Sequence, residues 1–228
     1  ALTTSSVTGT NISTQTASLN FTNSGSGDVA VINSGALSLV GSNNSGNLSV
    51  TTTGVVTQSG ALTVSGTTNI SAAGYDVTLN NAANDFTGAV SVAGINVAVT
   101  DSNAVDLGAS TVTGTLNLTA GGAVTQSGAL AITGASAISA TEFDVTLNDA
   151  TNAFTGSVSV SGANVSLADQ DAITLGASTV TGTLTVSAAT GVTVDGAVTT
   201  AGLTSINADN DANGSGLFTV SATGSLLT

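Results

Sequence analysis

The chain has no Lys, Arg or His, and no Cys, Met, Trp or Pro. Thirteen acidic residues therefore stand unopposed, for a formal charge of −13. With no basic side chain to neutralise phosphate, nucleic-acid binding is excluded as a natural role, and an anionic membrane surface would repel the chain. No Asp can form a salt bridge to a side chain, so each must be solvated, hydrogen-bonded or cation-bound. The absence of His, Lys, Cys and Arg removes the usual general bases, nucleophiles and electrophilic stabilisers, and the expectation is a non-enzyme. Aromatic residues make up only 3%, so the core must be thin and filled by small aliphatic groups. No apolar run is long enough for a transmembrane helix. No leader segment is expected within this stretch, and the first residue, Ala, reads as the start of a processed or excised piece. The lack of tryptic sites and of readily oxidised sulfur suits exposure outside a cell.

What is present is Thr, Ser, Val, Ala, Gly, Asn and Leu. The β-branched residues favour strands. Lys, Arg and Met are missing and Glu occurs once, which argues against helices. A hydrophobic content of 41% is too high for a disordered chain.

Internal self-similarity organises the sequence. Residues 54–121 align without a gap on 122–189, with 41 of 68 positions identical. Val56-Thr57-Gln58-Ser59-Gly60-Ala61-Leu62 returns as Val124 to Leu130, and Leu107 to Leu116 returns unchanged as Leu175 to Leu184. Substitutions preserve size: Tyr75 to Phe143, Val64 to Ile132, Val99 to Leu167 and Val105 to Ile173. This is the variation expected of packed positions. The same register extends to Val29 and Leu37 upstream and to Gly191–Val198 downstream. The units read as 1–53 (partial), 54–121, 122–189 and 190–228 (partial, with a loop insertion near 208–216).

Within a unit, short segments alternate inward and outward with period 2, as in Val77-x-Leu79 and Val97-x-Val99, and Gly/Asn/Ser/Asp clusters separate them. The expected fold is all-β: one continuous β-solenoid over 1–228 of about ten short coils, with inward aliphatic stacks and outward polar ladders. A coil of about 22–23 residues, three per unit, is the preferred reading, and four tighter coils is the alternative.

The strings VTQSGALTVSG, VTLNNAANDFTGAVSV and LGASTVTGTLNLTAGG resemble the repeats of giant bacterial surface proteins, the filamentous-hemagglutinin-like and other β-strand-repeat adhesins. The resemblance covers about residues 29–200. It implies a right-handed parallel β-helix, export to the bacterial cell surface, and a place in a stalk, adhesin shaft or extracellular filament.

Two sets of side chains merit attention as sites. Asp101 with Asp106, and Asp169 with Asp171, are the pairs that glycoside hydrolysis would require; their turn-like setting favours solvated carboxylates. Near the C-terminus, Asp209-x-Asp211-x-Asn213-Gly214 matches the opening of a calcium loop. Val220 stands where that loop's bidentate Glu belongs, and a solvated Asx-rich turn is the competing reading. No cofactor is required on either reading. The functional expectation is a structural segment of a cell-surface fibre or stalk, extended by its own continuing chain or by end-to-end stacking of copies. The alternative is an adhesin module that recognises a glycan or protein along its polar face. Most aromatics recur at equivalent positions, Tyr75 with Phe143 and Phe86 with Phe154, and read as core or edge packing.

Overall fold

A computed structural model describes residues 1–228. It contains thirty strands and no helix. All pairings between strands are parallel. The chain winds as a β-solenoid with two sheets facing each other across a narrow core. The backbone path of the first sheet has twelve strands and that of the second eleven, in line with about ten coils. At about 4.8 Å per layer the rod is about 55 Å long.

The strands form because β-branched and apolar residues alternate with small polar ones. In Leu116–Ala120, Leu116, Leu118 and Ala120 are buried while Asn117 and Thr119 are exposed. Stacking places like positions over one another: Val77, Val97, Leu116 and Ser136 are successive partners on the first sheet. The inward side chains merge into one core of 47 buried apolar residues. The only enclosed space is an apolar gap of about 10 Å³ among Val92, Val99, Leu107 and Val112. That holds at most one water molecule and no ligand.

The register shows that a unit spans neither three coils nor four. From Val56 the first-sheet partners run through Val77 and Val97 to Leu116, which is three turns. The next strand, Val124–Gln126, lies on the second sheet and pairs Val145. Val124 is the copy of Val56, so 68 residues make three and a half turns. The alternation holds across copies. Val29–Asn33 lies on the second sheet, its copy Val97–Asp101 on the first, and the next copy Val165–Asp169 on the second again. Coils are therefore about 19–20 residues, shorter than the preferred expectation, because many corners turn within two or three residues. Adjacent units are related by a half-rotation about the axis and a rise of about 17 Å.

Phe86 and Phe154 are buried as expected, whereas Tyr75 and Phe143 are 41% and 43% exposed. These two sit in tight turns, beside Gly74 at φ +87° and Glu142 at φ +72°. That backbone aims them outward, so their shared size reflects a shared turn and not a core position.

Candidate functional site: a corner built twice from paired amides and a buried carboxylate

The Gln of the VTQSGAL string and the Asn of the turn after VTLN meet 26 residues apart. Gln58 Nε2 donates to Asn84 Oδ1 at 2.8 Å, and Asn84 Nδ2 donates back to Gln58 Oε1 at 3.1 Å. The fully buried Asn84 also accepts from the Leu62 amide at 2.9 Å and donates to the carbonyls of Leu79 and Thr100. Gln58 Oε1 accepts from the Asn81 amide at 3.0 Å. Both oxygens and the donor groups of the pair are thus used in fastening chain crossings. Gln126 and Asn152 reproduce the arrangement, with the two amide contacts at 2.9 Å each.

One coil further on, Asp101 is 2% exposed. Its Oδ2 accepts from the Phe86 amide at 2.9 Å and its Oδ1 from the Asn103 amide at 2.8 Å. Asp169 does the same with Phe154 at 2.6 Å and Asp171 at 2.7 Å. Burial pushes both carboxyls above the usual carboxylate value; the amide hydrogen bonds oppose the shift, and Asp85 or Asp171 nearby adds to it. Each Asp thus binds two amides of neighbouring turns, and neither faces a partner acid or base across a cleft. Around the second copy a shallow depression of about 330 Å³ is lined by Asp169, Asp171, Thr155, Thr174 and Thr190. Asp106 lies outward on the second sheet and makes no pair with Asp101; one of its oxygens is shielded and without a partner.

A second ladder runs along the corners. Asp28 Oδ1 accepts from the amide and Nδ2 of Asn47, and Asn47 Oδ1 accepts from the amide and hydroxyl of Thr67. Asp76, Asn96 and Thr115 repeat it, as do Asp144, Asn164 and Thr183. The first and third ladders precede second-sheet strands and the middle one precedes first-sheet strands. The ladders therefore alternate between the two edges of the rod. The sequence reading missed both the amide pair and this ladder. The spacings of 26 and about 20 residues were available as signals, but only the coil length gives them meaning.

Asp209, Asp211 and Asn213 do gather in one exposed turn. Asp209 accepts from the amides of Asn213 at 3.1 Å and Gly214 at 2.9 Å, and Asn213 Nδ2 donates to Asp211 Oδ2 at 2.6 Å. These bonds close the turn without a cation. Two carboxylates and one amide oxygen supply three of the oxygen-bearing groups from which calcium draws its six to eight ligands. No three His, Cys, Asp or Glu side chains anywhere are grouped to share a metal ion.

A family model for repeats of unknown function (DUF5649) matches residues 26–93, 94–161 and 162–217. The chain belongs to this family. Its matched units have the 68-residue period found here and start at a different point of the same cycle. No curated protein and no solved structure matches the chain. Placed on the coil, one family repeat is three and a half turns; the first two matched units carry one amide pair each, and Val194 stands at the Gln position of the third. In the first unit Asn33 holds the position of Asp101 and Asp169, and it donates to the carbonyls of Gly35 and Ala36.

Proposed function

We propose that this chain is a shaft segment of an extracellular fibre or stalk on a bacterial surface, a spacer that sets length and stiffness. The observation that carries the reading is that the specialised polar groups of the repeat, the Gln–Asn pair, the buried Asp and the corner ladder, are consumed in fastening one coil to the next. The interior is filled, and each repeat adds about 17 Å without changing the cross-section. The resemblance of the repeats to giant surface adhesins supports the same reading, as does a surface free of tryptic sites.

The rod ends in strand edges. At one end Phe218 and Val220 are 46% and 44% exposed although their ladder partners Val192 and Val194 are fully buried. One more coil would cover them, supplied by continuing chain or by a second copy stacked head to tail. A second reading, recognition of a glycan or protein along the polar face, is favoured by a trough of about 240 Å³ on the first sheet, lined by Asn117, Thr119, Ser139, Ser161 and Thr179.

Electron microscopy of the purified chain, with and without a chelator, tests the proposal. Rods whose length grows by about 17 Å for each added repeat, or unbranched filaments of the same width, are the expected result. Filaments that fall apart on chelation would assign calcium to Asp209, Asp211 and Asn213 as an assembly site. Compact particles whose length ignores repeat number would overturn the spacer role.

A further inference from the structure

The turn at 209–215 combines an Asn-Gly dipeptide with a set of hydrogen bonds that neither the rod nor the ladders use. We propose that Asn213 is a self-modification site, at which the Gly214 amide nitrogen attacks the Asn213 side-chain carbonyl to form a succinimide. Two of the three groups the step engages, the nucleophile and the electrophile, are contacted in the required sense. The nucleophile, Gly214 N–H, donates to Asp209 Oδ2 at 2.9 Å, so a carboxylate base is in place for its proton. The electrophile is polarised: Asn213 Oδ1 accepts from the Ser215 amide at 2.8 Å and from the Ser215 hydroxyl. Two donors on one carbonyl oxygen stabilise the negative charge that develops there. The leaving nitrogen, Nδ2, is held by Asp211 Oδ2 at 2.6 Å.

Gly214 supplies the conformational freedom. It sits at φ +79°, and nothing lies within 4 Å of the position a Cβ would take. Gly214 therefore carries no side chain to hinder ring closure. The step balances: a bond forms between Gly214 N and Asn213 Cγ, and the Cγ–Nδ2 bond breaks. The amide proton passes to Asp209 and leaves with the departing nitrogen as ammonia. Water then opens the ring at either carbonyl to give aspartate or isoaspartate. No redox partner is needed, and the product adds one negative charge to the turn. The other asparagines are less suited. Asn33, Asn84 and Asn152 are buried and hydrogen-bonded, and the exposed Asn44 is followed by Ser45, whose side chain hinders closure.

The test uses the full chain incubated at neutral pH, cut by a chymotrypsin-like protease and read by mass spectrometry. Asn213 is expected to show the amide-to-acid mass gain at least roughly tenfold faster than Asn44, with isoaspartate among the products. Asp209→Asn and Ser215→Ala are each expected to slow it severalfold while leaving the melting of the rod unchanged. A synthetic 207–217 peptide is expected to react more slowly than the folded chain. Conversion at Asn213 no faster than at Asn44, or parent rates in both variants and in the peptide, would overturn the proposal.

Discussion

At the scale of single residues, the two full copies serve as internal controls for one another. Gly74 and Glu142 occupy the same turn, at φ +87° and +72°. A residue with a Cβ pays for that region and glycine does not. Glu142 is also exposed, and its carboxylate accepts no hydrogen bond. Glu142→Gly is expected to stabilise the chain by about 1 kcal/mol, read as a higher urea midpoint with an unchanged slope; the reverse change, Gly74→Glu, should cost a similar amount. Lower stability in the glycine variant would mean that the Glu side chain carries a compensating contact. The copies also share a flaw. The hydroxyls of Thr68 and Ser136 face inward at equivalent positions, buried and without partners. Sequence alone ranked neither, because a Thr in a strand pattern reads as an outward residue until its neighbours Leu48 and Val90 are known to stack on it.

At the scale of the element, the buried carboxylates couple corner geometry to pH. Strand alternation, turn clusters and the tandem period were legible in the sequence, since period 2 and Gly-rich breaks are local signals. The corner was not, because Gln58 and Asn84 meet only after a full turn whose length the sequence does not state. The sign of the pH effect follows from burial. Asp101 and Asp169 have folded values above the ordinary 3.8, so the folded state holds their protons more tightly than the unfolded state. Their contribution is fully present below the ordinary value and is lost as pH rises through the raised one. Asp149 and Asp195, lowered by hydrogen bonds from Thr151, and from Ser221 and Thr223, act the other way, and only below 3.8. Relief of repulsion among thirteen unopposed acids adds to the first trend. The urea midpoint is therefore expected to rise as pH falls from 7 toward about 4. Asp101→Asn combined with Asp169→Asn should flatten that rise. It should also cost about 1–3 kcal/mol per site, because an amide offers one acceptor oxygen where the carboxylate offers two, and one of the two backbone amides it binds loses its partner. A double variant with the parent's full pH slope would remove these two residues as the source.

At the scale of the whole molecule, the half-turn is the property least visible in the sequence and most consequential for the rod. Identical strings such as LGASTV lie once on the second sheet and once on the first. This works because the cross-section is two facing sheets of similar width, so a strand that buries Val and Leu inward fits either side. The sequence states the period, but the number of turns within it depends on how tightly each corner closes. The consequence is a two-sided shaft: whatever one repeat presents on one face, the next presents on the other, and the same face recurs every second repeat. The chain has no cysteine, so labels can be placed freely. Asn117 faces outward on the first sheet, and its copy Thr185 faces outward on the second. Spin labels on N117C and T185C combine a rise of about 17 Å with the full thickness of the rod, which puts them about 30 Å apart. A whole number of turns per repeat would put both labels on one face, under about 20 Å apart. The shorter distance would overturn the half-turn and, with it, the alternation of the corner ladders; the longer would fix a rod that offers each partner two opposed faces.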